Sequence, residues 1–445
     1  MTTRQMHLNF HGNSSGEHLA AWSRAGAGDP AVFVPDYYLQ IATIAERGLF
    51  DAVFFAAGLA LPDDGRPARP VLDPVVLIAA LAAQTRRIGF VATMSTTFTE
   101  PYNVARTFSS LDHISRGRVG WNIVTTYDEL ASRNFGLSQL PERRHRYARA
   151  DEFVGVVRAL WDSWDDEAVV ALENGEVDID AARIHPIRHE GRFFRVHGPL
   201  QTPRTPQGRP LLFQAGGSEA GQELAARHAD AVFSIGLERA QAQAFYRDLK
   251  ARAARQGRDP ESLHILPGVY LYLGATEQEA ERRRQELLAS PAAVRGYVRQ
   301  LATRLGVEPE ALAMDEPVPE SILRDAESRA GSVGHTRALV ASLRNGDGAT
   351  RPTLRQFLAR QPVGGPHRVI IGTPEQAADT LADWFLARAA DGFNIGNMPP
   401  ADLRIFVEQV VPLLQKRGLF REGYESTTLR GHFGLTAGRG KSRPE

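Results

Sequence analysis

Eight short apolar runs rich in Val, Ile and Phe alternate along this chain with longer stretches of helical periodicity. That order constrains the fold more than any other feature. Repeated strand-then-helix units build a parallel sheet, and parallel strands covered on both faces read as near-continuous apolar runs. The runs are Met6–Phe10, Ala52–Ala56, Ile88–Thr93, Val119–Val124, Leu211–Ala215, Ala231–Ser234, His264–Leu273 and Phe393–Ile395. Eight such strands predict an α/β fold, a closed (β/α)8 barrel.

Helix starts are marked at Pro35-Asp36, Asp73-Pro74 and Glu100-Pro101, where a capping side chain or first-turn proline suits free backbone N–H groups. Helices are expected at Tyr37–Arg47, Val75–Gln84, Tyr102–Ile114, Tyr147–Trp164, Glu219–His228, Ala240–Gln256, Glu277–Ala289, Glu375–Ala390 and Leu403–Lys416. Two segments break the alternation. Residues 165–209 read as a hairpin-bearing insertion after the fourth helix. Residues 291–366, with SVGHTR and NGDGATRP, form an insertion before the eighth strand, placed as a lid over the C-terminal mouth where barrel active sites lie. The expected organisation is a single barrel domain over 1–435 and a disordered tail at 436–445. No internal repeat beyond the β-α alternation is evident.

Lys+Arg and Asp+Glu both number 52, which gives no electrostatic reason to expect a nucleic-acid or membrane-surface partner. The absence of cysteine excludes a disulfide framework, a thiolate zinc site and a cysteine nucleophile. Chemistry must come from other side chains or a bound cofactor. With neither a signal-peptide pattern nor an apolar run of about 18 residues, a cytoplasmic location is the default expectation.

Three local features can carry chemistry. In QAGGSEAGQELAARHAD, Gly216 and Gly217 allow close backbone approach and Ser218 can cap a helix, so the junction suits a phosphate or is simply a capped turn. In PERRHRYARADEF, Arg143, Arg144, His145, Arg146 and Arg149 surround Tyr147 near a helix start, where positive charge opposes the helix dipole. Either an anion compensates or Glu142, Asp151 and Glu152 do. In RVGWNIVTT, Asn122 interrupts an apolar strand, and Thr93, Ser95, Thr96 and Thr97 end the strand before it. Such an amide serves a ligand edge or is satisfied by neighbouring backbone. His185 and His189 are separated by Pro186, which argues against a shared helical metal-binding face, and no metal site is expected.

Taken in order, ERGLFDAVFFA, RRIGFVATMSTTFTEPYNVARTFSSLDHISRGRVGWNIVTT, ASRNFG, RYARADEFVGVVRALWDSW, HEGRFFRVHGPLQTPRTPQGRPLLFQAGGSEAG and GFNIGNMPP resemble the group of luciferase-like monooxygenases that includes the nitrilotriacetate, pristinamycin synthase and dibenzothiophene-sulfone enzymes. The resemblance runs from about His7 to Leu435. It implies a barrel that takes FMNH2 from a separate NAD(P)H:flavin reductase and uses O2, through a flavin hydroperoxide or peroxide, to oxygenate a small organic substrate at or beside a C–S or C–N bond. It also implies a homodimer or homotetramer. On the matching positions, Gly217, Ser218 and Tyr147 fall on the FMN-phosphate site, and Arg143 stands where relatives usually carry histidine. Asn122 and Thr93 fall beside the isoalloxazine, and His18 is the candidate near the reacting atoms. Ala57 and Glu17 depart from the pattern, where relatives carry Asp and His. Deazaflavin-dependent hydride transfer, or flavin binding without oxygenation, are the competing readings.

Overall fold

The computed structural model describes residues 4–12, 33–61, 71–171, 176–236, 238–288, 291–329, 339–340, 343–344, 351–360, 367–396 and 398–437. His18, Glu17, His335 and the tail from 438 lie outside them. The strands are β1 (His7–His11), β2 (Ala52–Phe55), β3 (Gly89–Ser95), β4 (Val119–Val124), β5 (Val169–Ala171), β6 (Val177–Ile179), β7 (His189–Glu190), β8 (Arg195–Val196), β9 (Leu211–Gln214), β10 (Ala231–Ser234), β11 (His264–Leu273), β12 (Arg368–Gly372) and β13 (Gly392–Ile395). The main sheet runs β10-β9-β4-β3-β2-β1-β13-β11, and parallel pairing of β10 with β11 closes it. All eight expected strands are therefore staves of one barrel.

Helices α1 (Pro35–Arg47), α2 (Pro74–Ala82), α3 (Pro101–Ser115), α4 (Glu129–Asn134), α5 (Arg143–Trp161), α6 (Glu219–His228) and α7 (Arg239–Arg255) follow the early strands. The expected start of α5 at Tyr147 is corrected to Arg143, because the basic cluster is itself the first helical turn. The period of two divides each strand between two cores. Leu8, Phe10, Val53, Phe55, Phe90, Ala92, Trp121 and Ile123 face the helices, whereas Ala52, Phe54, Val91, Leu211, Phe213, Ala231 and Leu266 fill the barrel.

The N-terminal end of the barrel is closed by the chain's own C-terminal segment. Leu429 fills the space that glycine leaves at 89 and 120, and Phe433 stacks on His7 at 4.6 Å between ring centroids. Three aspartates repeat one clamp at this end. Asp51, immediately before β2, accepts from Leu8 N at 2.8 Å; Asp230, before β10, accepts from Leu212 N at 2.9 Å; Asp391, before β13, accepts from Ile265 N at 3.0 Å. Each thus ties the second residue of a neighbouring strand. Asp51 pairs with Arg421, Asp230 with Arg430 and Asp391 with Lys250.

Two antiparallel hairpins, β5–β6 and β7–β8, lie in the expected insertion after α5. β12 was not among the expected strands. Among the described residues it pairs with Val269–Leu273, the C-terminal half of β11. Helices Pro291–Leu305, Glu320–Arg329 and Leu354–Arg360 bring together a separate apolar cluster that includes Leu301, Leu305, Leu323, Leu354 and Phe357.

Asp112 on α3 is fully buried and accepts from Val119 N at 3.2 Å and Gln207 Nε2 at 2.7 Å. Burial outweighs these bonds and pushes its carboxyl up to about 6. A folded state that holds the proton more tightly than the unfolded chain loses stability as pH rises from about 4 to 6. Asp112→Asn, whose amide oxygen can accept both bonds, is expected to raise stability at pH 8 by about 1–3 kcal/mol, with the gain shrinking toward pH 4. Thermal melts across that range check this; a pH-independent difference would contradict it.

Candidate active site

The C-terminal ends of β4 and β9 carry the first part of the site. Ser218 caps α6, accepting from Gly221 N at 3.2 Å, and the N–H groups of the first turn precede any intrahelical acceptor. Beside it a Cβ at Gly217 would meet no atom within 4 Å, so the backbone there faces open space. Tyr147, one turn into α5, brings its hydroxyl within 3.4 Å of Ser218 Oγ although 71 residues separate them in sequence. Arg143 is exposed at the first position of α5, with its guanidinium 5.9 Å from the Tyr147 ring centroid.

Asp151 and Glu152 bind partners outside this cluster. Asp151 binds Arg227 and His228, and Glu152 binds His189 and the N–H groups of Phe193 and Phe194. Arg149 donates to Thr99 O at 3.1 Å and lies 4.6 Å from the Phe194 ring centroid. Burial depresses the pKa of both Arg146 and Arg149. Arg149 also pairs with Glu100 at 3.5 Å, whereas Arg143 is exposed beside Tyr147 where the starts of α5 and α6 come together, an arrangement suited to an anion.

The second part lies inside the barrel. Thr93 and Asn122 are register partners on β3 and β4, and Asn122 Nδ2 donates to Thr93 Oγ1 at 2.9 Å. Asn122 is buried and its Oδ1 has no hydrogen-bond partner among the described residues. An unsatisfied buried amide oxygen is costly and calls for a donor, which the N–H edge of a bound ring supplies. Because Asn122 is paired with Phe213 on β9, this edge and the Ser218 turn stand on adjacent staves. Asn122→Leu is expected to weaken flavin binding about tenfold while the far-UV circular dichroism stays unchanged. Unaltered flavin affinity would contradict that role.

Ala57 lies two residues beyond β2, half-buried at the mouth. Tyr127 is 93% exposed and does not pack into it. His185 pairs with Asp165 and His189 with Glu152, each at 3.0 Å, so the two imidazoles serve separate carboxylates. His113 reaches Pro203 O at 3.1 Å. Among the described residues no group of three His, Asp or Glu could hold a metal ion, and no helix is long and apolar enough to cross a membrane.

Two histidines appear on the opposite side of the barrel: His11, which the sequence does not single out, and His367, which stands isolated in the sequence. His11 ends β1 facing inward, with ring centroids 5.9 Å from Phe54 and 5.7 Å from Phe233. His367, just before β12, lies 5.4 Å from Phe233 and 5.5 Å from Tyr270. The parity of positions 7, 9 and 11 could have revealed His11; His367 could not be found without β12.

An anion-accepting helix start beside a barrel strand with an unsatisfied amide inside describes a site for a flat, phosphate-bearing cofactor. These are the features of a flavin-dependent barrel enzyme. The family model for luciferase-like monooxygenases matches residues 15–391. The chain is 40% identical over 449 residues to nitrilotriacetate monooxygenase component A of Aminobacter aminovorans, covering 97% of each. It is 39% identical over 439 residues to N-acetyl-S-(2-succino)cysteine monooxygenase of Bacillus subtilis (strain 168), again covering 97% of each. Among solved structures, riboflavin lyase with modified FMN and riboflavin matches with a TM-score of 0.78 at 29% identity, covering 97% of this chain and 96% of that one. The chain belongs to the luciferase-like monooxygenase family, in the group around nitrilotriacetate monooxygenase, and is a flavin-dependent monooxygenase.

Proposed function

We propose that this protein is the oxygenating component of a two-component system, receiving FMNH2 from a separate NAD(P)H:flavin reductase and oxygenating a small organic substrate at or beside a C–S or C–N bond. The observation that carries the cofactor is the approach of Tyr147 Oη to Ser218 Oγ, at 3.4 Å, over the start of α6. FMN fits the residues present: Ser218, Gly217, Tyr147 and Arg143 hold the phosphate, while Thr93 and Asn122 meet the polar edge of the ring. Ala57 lines the same mouth, where a carboxylate would place a fixed negative charge. When bound, reduced FMN supplies two electrons to O2, so that one oxygen atom enters the substrate and the other leaves as water.

The chain's own part is to orient and to exclude water. Phe54 and Phe213 form an apolar floor, and the helical insertion before β12 serves as the lid. His18 is the candidate for the group beside the reacting atoms. The names of relatives support a heteroatom-bearing substrate, since nitrilotriacetate monooxygenase and N-acetyl-S-(2-succino)cysteine monooxygenase are named for an amine and a thioether.

The test supplies FMN, NADH, a flavin reductase and 18O2 with a panel of sulfur and nitrogen compounds. A product carrying one 18O is the expected result. Hydrogen peroxide as the sole oxygen product with every compound would count against the assignment.

A further inference from the structure

Helix α5 runs the depth of the barrel, so its two ends serve different places. Tyr147 stands at the mouth, while Arg158 in the last turn lies about 16 Å further along the axis, at the foot of the barrel where the strands begin. There Asp162, Asp166 and Asp230 meet more arginines than they can neutralise. Arg204 reaches Asp162 at 2.9 Å and Asp166 at 2.6 Å, Arg209 lies 3.5 Å from Asp162, and Arg430 pairs with Asp230 at 2.9 Å. Arg258 turns to backbone instead, donating to the carbonyls of Ala225, Ala226 and Ala229 at the end of α6. Arg158 is attracted by Asp230 and Asp162, both already engaged. Among the described residues, five arginines therefore share three aspartates. The carbonyl ends of α5 and α6 offset about half a charge each, which still leaves the niche positive. Burial depresses the pKa of Arg158, Arg209 and Arg258, and the charge of Arg158 depresses Arg209 further. All three keep part of their surface exposed, so the niche is open to solvent.

We propose that Arg158, Arg209 and Arg258 form a second anion site at the foot of the barrel, which takes a small phosphate-bearing anion of two or more negative charges. The site is built from the last turn of α5, the loop before β9 and the loop between α7 and β11, and it does not depend on the flavin reading of the mouth. A guanidinium offers five N–H donors in a planar fork that matches phosphate oxygens, and Arg209 directs Nη1 to Asp162, leaving the rest of its fork for an anion. A polyanion among the three guanidiniums offsets their mutual repulsion and, by binding the folded chain, stabilises it.

The test is calorimetric titration of inorganic pyrophosphate into the FMN-saturated protein at constant ionic strength, with citrate titrated in parallel. FMN keeps the probe from the phosphate turn at the mouth; should FMN not bind, the Gly217→Asp protein serves the same purpose, so failure of the flavin reading is seen separately. One pyrophosphate per chain is expected to bind. Its affinity should fall about tenfold in Arg158→Gln and in Arg209→Gln, recover in part in Arg158→Lys, and stay within about twofold in Arg239→Gln, which removes an exposed arginine paired with Asp383. A far-UV circular dichroism spectrum like the parent's shows that each variant is folded. No saturable binding of pyrophosphate to the parent protein, tighter binding of citrate than of pyrophosphate, an equal loss in Arg239→Gln, or affinity unaltered in both Arg158→Gln and Arg209→Gln would overturn the proposal.

Discussion

Gly217→Asp is expected to weaken FMN binding about 100-fold while leaving riboflavin binding and the fold unchanged. A Cβ at 217 meets nothing within 4 Å, and the position lies just before the Ser218 cap of α6. A carboxylate there favours the helix dipole, so the substitution should not destabilise the protein. It places a like charge where the phosphate belongs, however, and juxtaposed like charges cost several kcal/mol, of which about 3 kcal/mol corresponds to 100-fold. Riboflavin, which has no phosphate, is the control. Fluorescence titration with both flavins reads the result directly; equal losses for the two would show that the residue does not face a phosphate.

The second large effect concerns stability. Asp51→Ala should destabilise the barrel by about 3–5 kcal/mol, because it leaves the buried Arg421 guanidinium without its carboxylate and Leu8 N without its acceptor. Burial alone would raise the Asp51 carboxyl, but Arg421 and His7 hold it below the usual carboxylate range. A group whose pKa is lowered by folding stabilises above its unfolded value and loses that contribution as pH falls. The penalty of the alanine variant is therefore full at pH 7 and diminishes in acid. Asp379→Ala, which removes an exposed partner of Arg417, should change stability by less than about 1 kcal/mol. Denaturant unfolding of the two variants at pH 7 separates them; equal midpoints would refute the clamp.

The two predictions also mark what the sequence exposes and what it hides. The eight staves were legible because a parallel strand covered on both faces needs an unbroken apolar run, and Ala52–Phe55 and Ala231–Ser234 could hardly be anything else. Helix starts at Pro74 and Pro101 were legible to one residue, since proline tolerates only the first turn. The clamp was hidden. Asp51-Ala-Val-Phe and Asp230-Ala-Val-Phe are the same tetrapeptide, but only the pairing of β1 with β2 and of β9 with β10 shows that each aspartate holds its neighbour's second N–H. β12 was hidden for a related reason: a short RVIIG run outside the barrel makes no period of its own and is defined by its partner, the C-terminal half of β11.

The site divides in the same way. Ser218 and Gly217 announce themselves locally, as a glycine-rich strand end before a helix. That Tyr147 joins them is a matter of α5 packing on α6, which no local pattern encodes. Asn122 could be read as a candidate, yet its two alternatives are separated only by the unsatisfied Oδ1. His11 and His367, 356 positions apart in the sequence, meet through a third residue, Phe233.

The most direct test of the flavin assignment is an anaerobic titration of the protein with reduced FMN and, in parallel, with a reduced deazaflavin. Saturable binding of FMNH2, lost in Gly217→Asp and preferred over the deazaflavin, is the predicted result. Preference for the deazaflavin, or no binding of FMNH2 at all, would contradict it.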